Sequence, residues 1–304
     1  MIVGVLSDCR LPTVPAGGHG LGRMAWDMAE GLRRRGIDVL LFAGPGSSAP
    51  DGVPLICHRD ESKRPGDLVE TWDSVDVWMD LSHRHDLSRL HPEIPVVNWI
   101  VDLECDWTPP NAIVGNEWQR GKFPAARIVP LGIDLDKIPF YPTGGRHLVF
   151  AHKIHPAKGV DIAVTVGQMS GRLVRFAGQR FMEINMPEYV GEIHGDDALY
   201  QFLGGAAGLL SPTREDAGGR VNLESAATGT PVLTFDWTGT QCHVGHCVSG
   251  FVCADLDEMV EAVNDLKLLD RRACREWVAD RHGMDRMIDG VNDALMVARE
   301  GVRW

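Results

Sequence analysis

The chain has 304 residues, 24% of them charged and 44% hydrophobic. That composition excludes a largely disordered or collagen-like chain and leaves room for one large or two modest α/β domains. Apolar runs such as 39–43 and 206–210 fall far short of the ~20 residues a membrane-spanning helix needs. A formal net charge of −12 repels polyanions at long range and weighs against bare nucleic acid as a partner unless a local basic surface is built.

Residues 1–6 form a short apolar run ending at Ser7 and Asp8, without a basic leader, and read as a first strand rather than a signal peptide. The cytoplasm is the default location. A glycine loop, Gly17, Gly18, His19 and Gly20, follows. Leu21, Met24, Ala25, Met28 and Leu32 then recur at helical spacing, and the stripe stops at Arg33, Arg34, Arg35 and Gly36. Cations and a glycine suit a helix C-terminus. With a second strand over 38–43, the chain opens as a βαβ unit. Further strands are expected at 53–57, 75–80, 95–101 and 112–114. Proline and glycine then gather at Pro139, Pro142, Gly144 and Gly145, which marks a domain junction. The alternation restarts with a strand over 147–151, a helix over 161–169, and strands at 173–177, 208–210 and 231–235. Helical patterns lie at 198–203, 256–269 and 286–298, and another helix ends near 224–229. The expected domains are 1–141 and 142–285, with 286–304 as a C-terminal helix returning to the first. The seven cysteines are odd in number and scattered, so a disulfide framework is not expected.

The most informative passage runs from Ser211 to Val232. It reads as a strand end, a glycine-bearing turn, and a helix carrying a carboxylate about one turn inside. Amides at such a helix start can face a phosphate, and a carboxylate accepts paired hydrogen bonds from neighbouring hydroxyls. Pro212, Asp216, Gly219, Glu224 and the run Gly229, Thr230, Pro231, Val232 together resemble retaining glycosyltransferases of the GT-B class, especially glycosyltransferase family four. Asp216 stands where that family usually has Glu, and Glu215 beside it offers the longer side chain. The resemblance implies that one of these two acids contacts the donor sugar and that Glu224 holds the ribose, with Gly219 and Arg220 in the same donor-binding turn. A second passage, 150–161, places Lys153 and Lys158 after a strand, at positions where the family has Arg and Lys. Two cations there neutralise a departing diphosphate. Residues 129–134 and 191–194 add smaller likenesses.

The implied fold is α/β, two Rossmann-like domains facing a cleft. The implied activity is sugar transfer from a UDP- or GDP-linked donor to an acceptor hydroxyl with retention, without an obligatory metal or other cofactor. Catalytic candidates are Lys158, Lys153, Asp216 and Glu215. Gly17, Gly18, Gly219, Arg220 and Glu224 are donor-binding candidates, and Asp80, His83, His85 and Asp102 acceptor-side candidates by their place at strand ends. A small metabolite, a glycan and a hydroxylated nucleobase are all open as acceptors. A non-catalytic nucleotide-sugar-binding module and a GT-B epimerase or phosphorylase stay open as alternatives. Cys242, His243, His246 and Cys247 carry zinc-ligand chemistry, but their spacing fits no common zinc module.

Overall fold

A computed structural model describes every residue except 9–11, 16–19, 58–73, 102–106, 215, 217 and 238. The chain folds as two α/β units: Met1–Gly132 joined by Met284–Trp304, and Ile133–Gly283.

The first unit is built on a seven-stranded sheet. β1 (Ile2–Leu6) leads into α1 (Gly20–Arg34) and β2 (Asp38–Ala43). β3 (Leu55–Cys57), β4 (Val77–Asp80), α2 (Asp86–Leu90), β5 (Val96–Trp99), β6 (Ala112–Val114), α3 (Glu117–Lys122) and β7 (Arg127–Ile128) follow. The strand order is β3-β2-β1-β4-β5-β6-β7, and every pairing is parallel. Such strands are covered on both faces, which is why they read as apolar runs without alternation. α1 buries Met24, Ala25, Met28 and Leu32, and Gly36 beyond it takes a left-handed φ of 78°.

The second unit carries a six-stranded parallel sheet. Its elements are β8 (Leu148–Ala151), α4 (Val160–Ser170), β9 (Val174–Ala177), β10 (Tyr189–Gly191), α5 (Asp196–Gly204) and β11 (Gly208–Ser211). Then come α6 (Arg220–Ala227), β12 (Val232–Phe235), β13 (Gly250–Cys253), α7 (Leu256–Asp265) and α8 (Arg271–His282). The strand order is β10-β9-β8-β11-β12-β13. One apolar core packs α4 and α7 against this sheet through Phe150, Val166, Phe176, Leu233, Phe235, Met259 and Val263.

The sequence expectation does not include α2, α3, β7, β10 or β13, and three further features differ from it. The junction falls at Gly132–Ile133, ahead of the proline and glycine cluster. Residues 133–141 belong to the second unit because α8 holds them: Arg275 donates to the carbonyls of Leu135 and Ile138, and Arg271 to that of Tyr141. Arg271 also donates to the carbonyls of Gly204 and Ala206, so one guanidinium satisfies three carbonyls from two segments distant in sequence. The sequence pattern predicts no helix where α8 lies. The expected helix over 256–269 stops at Asp265 and tightens into a 3-10 turn, Leu266–Leu268.

α9 (Met284–Arg299) closes the chain in the first unit. Met287, Ile288, Val291, Ala294, Leu295 and Ala298 form its buried face. Gly31 of α1 lets it approach, since a Cβ there would lie 2.4 Å from Ile288. Among the described residues no helix is long and apolar enough to cross a membrane.

Candidate functional site

In each sheet the chain reverses its winding direction once, between β1 and β4 in the first and between β8 and β11 in the second. Crevices outside the carboxyl ends of the strands at such a switch point are where open α/β sheets bind ligands. The loop after β8 contains Lys153 and Lys158, and the loop after β11 contains Asp216 and Gly219.

Local geometry fixes both loops. After β8, His155 caps a 3-10 turn, Pro156–Lys158, by accepting from the Ala157 N–H, and Gly159 then turns left-handed at φ 69° to start α4. A Cβ on Gly159 would sit 2.0 Å from the Pro212 carbonyl oxygen, so the two loops touch through backbone and only glycine fits. Arg214 locks them further. Its N–H donates to the Ala157 carbonyl, and its guanidinium forms a two-pronged pair with Asp161 at 2.7 and 2.8 Å. The Asp161 carboxyl is held below the usual carboxylate range by those bonds.

The result is a cation–carboxylate pair at a helix start. Lys158 Nζ donates to Asp216 Oδ2 at 2.7 Å, and Asp216 Oδ1 accepts from the Gly218 and Gly219 N–H groups at 3.0 and 3.2 Å. Burial alone would raise the Asp216 pKa. Lys158 and the Gly218 N–H outweigh it and hold the group at about 2. Gly219, at φ 52°, is the N-cap of α6. Further along that helix Glu224, 2% exposed, accepts from Arg220 Nε at 2.9 Å. Lys158, Asp216, Gly219, Arg220 and Glu224 therefore share one helix start and its approach.

The floor beneath α6 is a 3-10 turn, Thr240–His243. Thr234 Oγ1 donates to the Ser211 carbonyl at 3.0 Å and lies 2.8 Å from Thr240 Oγ1, so the turn is tied to β11 and β12. His243 is 1% exposed and faces His282 edge-on at 5.3 Å. A Cβ on Gly219 would come 2.8 Å from its Nδ1. Burial and His282 push the His243 pKa down to about 3. A second imidazole, His152, follows β8 directly. Burial and then Lys158 push its pKa down to about 4. Both rings are neutral at ordinary pH.

Lys153 does not join this group. It is exposed, and its ammonium lies 5.7 Å from the centre of the Phe181 ring. Gly17, Gly18, Asp102 and Glu215 lie outside the described residues. Asp80, His83 and His85 are in the first unit, at the switch point of the other sheet. Asp80 is fully buried at the end of β4, accepts from the Ser82 N–H at 2.7 Å, and is pushed up to about 7 by burial. His83 Nε2 lies 3.5 Å from Asp8 Oδ2. His85 is buried in a left-handed conformation at φ 51°. Among the described residues no three His, Cys, Asp or Glu side chains are arranged to hold a metal ion. Sequence reasoning missed His152 as a site residue and weighed His243 only as a zinc ligand. A lone histidine carries no spacing signal, and only tertiary burial shows either ring flanking Asp216.

No family model matches the chain, and no curated protein matches it in sequence. Solved structures do. AviGT4, a glycosyltransferase involved in avilamycin A biosynthesis, superposes with a TM-score of 0.76 at 20% identity, covering 100% of this chain and 99% of its own. Sucrose-phosphate synthase from Thermosynechococcus elongatus gives 0.77 at 13% identity over 99% and 100%. HepE of Anabaena, solved with UDP and glucose, gives 0.72 at 13% identity over 97% and 99%. The fold is that of the GT-B glycosyltransferases, with two Rossmann-like α/β units.

Proposed function

We propose that the chain is a glycosyltransferase that moves a sugar from a UDP- or GDP-linked nucleoside diphosphate sugar to an acceptor hydroxyl, with retention at the anomeric carbon. The observation that carries this reading is the Lys158–Asp216 pair seated on the Gly218 and Gly219 N–H groups, with buried Glu224 further along the same helix. In this reading Lys158 and the amides at the start of α6 stabilise the departing diphosphate, where negative charge develops. Glu224 accepts from the ribose hydroxyls, and Asp216 or Glu215 from the sugar. The bond from the anomeric carbon to the diphosphate oxygen breaks through an oxocarbenium-like centre. A bond to the acceptor oxygen forms on the same face, and the acceptor proton leaves with the diphosphate. Gly17 and Gly18 are further proposed donor-binding residues. Asp80, His83 and Asp102 serve the acceptor, and Lys153 adds charge at the site's edge. No resident cofactor is invoked, and the cytoplasm is the proposed location. The likeness to AviGT4 and to HepE, itself solved with UDP and with UDP-glucose, supports this reading.

The test is a melting-temperature screen with UDP-glucose, UDP-galactose, GDP-mannose and the free nucleotides, followed by acceptor trials with the best donor. A donor at a hundredfold excess over its Kd stabilises by about 2.7 kcal/mol, which is several degrees for a unit of this size. NMR of the product should show the donor's anomeric configuration. No shift with any nucleotide or nucleotide sugar overturns the donor assignment, and an inverted product overturns retention. Epimerised sugar without an acceptor, dependence on inorganic phosphate, or binding without transfer would each replace the transferase reading.

A further inference from the structure

We propose that His152 is a sugar-reading residue of the donor site, whose imidazole hydrogen-bonds a hydroxyl of the transferred sugar beside Asp216. This deepens the reading above and rests on it. His152 immediately follows β8, at the switch point of the second sheet, in the same loop as Lys158. Its ring lies on the sheet face of Phe150, two residues earlier, with centroids 5.0 Å apart and an edge-on angle of 60°. The neighbouring strand pins its main chain. Gly178, just past β9, takes φ 138°, and a Cβ there would lie 1.9 Å from the His152 carbonyl oxygen. The backbone and the aromatic contact together leave the ring little freedom.

Against that rigid placement, Nε2 is closed to solvent and has no hydrogen-bond partner among the described residues. Buried polar atoms in native proteins are nearly always paired, so an unpaired one in a binding loop marks a partner that arrives with the ligand. Among the described residues, the charged groups that act on the ring are Lys158 and Asp216, the two halves of the ion pair. Lys158 already supplies the charge a diphosphate needs, and burial together with Lys158 keeps the imidazole uncharged. A neutral imidazole offers one N–H and one lone pair, and a hydroxyl both donates and accepts, so a sugar hydroxyl matches either tautomer. A diphosphate oxygen only accepts, and it is served better by the lysine. His152 therefore distinguishes the sugar from the nucleotide that carries it.

The experiment compares wild type, His152→Ala and His152→Gln for binding of two matched pairs, UDP with UDP-glucose and GDP with GDP-mannose, by calorimetry. Circular dichroism and melting temperature check the fold. In the pair that wild type binds, His152→Ala should keep the affinity for the nucleoside diphosphate within about twofold. It should weaken the sugar nucleotide by about tenfold or more, the effect of one lost hydrogen bond to a buried group. The Gln variant, whose amide reaches the position of Nε2, should recover part of that loss. If the Ala variant does not fold, a Gln variant that binds the sugar nucleotide and retains its discrimination over the free nucleotide supports the role. A folded Gln variant that loses both ligands equally overturns it. A folded Ala variant with unchanged sugar-nucleotide affinity, or with equal losses for both members of a pair, removes the sugar-reading role alone. Wild type that binds neither pair removes the nucleotide-sugar reading itself.

Discussion

Replacing Lys158 by alanine should lower donor turnover by about 10²- to 10³-fold, the cost of removing a preorganised group aimed at charge that develops in the transition state. The same change has a structural consequence. Asp216 keeps its bonds to Gly218 and Gly219 but loses its cation, and the part-buried carboxylate left behind should destabilise the second unit by about 1–3 kcal/mol. The two effects separate in the double variant Lys158→Ala with Asp216→Asn. The uncharged amide needs no cation, so part of the melting temperature should return while turnover stays low. Steady-state product formation and thermal melting of the three proteins check this. Turnover within a few-fold of wild type in Lys158→Ala would remove the lysine from the diphosphate. Recovery of turnover in the double variant would mean that the single variant failed for reasons of stability only.

Acidification from pH 7 to pH 5 should weaken the second unit and strengthen the first. His152 and His243 have folded pKa values of about 4 and 3 against an ordinary 6.5. Below pH 6.5 the unfolded chain therefore takes up protons that the folded unit refuses. Stability is lost as pH falls through that window, by up to about 1.4 kcal/mol per pH unit for each ring. Asp216, held at about 2 against 3.8, adds to the loss only below pH 4. Asp80 works the other way. Its pKa of about 7 against 3.8 means that the folded first unit keeps a proton the unfolded chain has released. That stabilisation is fully present below pH 3.8 and disappears as pH rises through 7. Amide hydrogen exchange resolved by segment, corrected for intrinsic rates, should show protection falling in β8 to β13 and rising in β1 to β5 between pH 7 and pH 5. Asp80→Asn should remove the response of the first unit. A common direction in both units would contradict the assigned burial of these groups.

Much of this architecture is legible in the sequence, because parallel strands covered on both faces appear as compact apolar runs and α1 shows its stripe and cap plainly. The turn proposed to hold the donor is equally legible as a strand end, glycines and a helix start, since Asp216, Gly219 and Glu224 lie close together in the sequence. α8 is not. It buries only Cys274, Val278 and His282, and it is held through Arg271 and Arg275 to carbonyls distant in sequence, so no apolar stripe announces it. The proline and glycine cluster after residue 138 misleads about the junction for the same reason, because the contacts that assign 133–141 to the second unit come from those two guanidiniums. Lys153 and Lys158 look alike in sequence. The capped turn between them sends Lys158 to Asp216 and leaves Lys153 over Phe181.

In the proposed reading a nucleoside diphosphate sugar is held by the helix start that joins Lys158, Asp216, Gly219 and Glu224. Hydrogen exchange with and without a saturating donor tests it most directly. Protection concentrated at residues 152–161 and 218–224 is the result expected here. Donor binding that leaves both segments unchanged and protects amides elsewhere would contradict it.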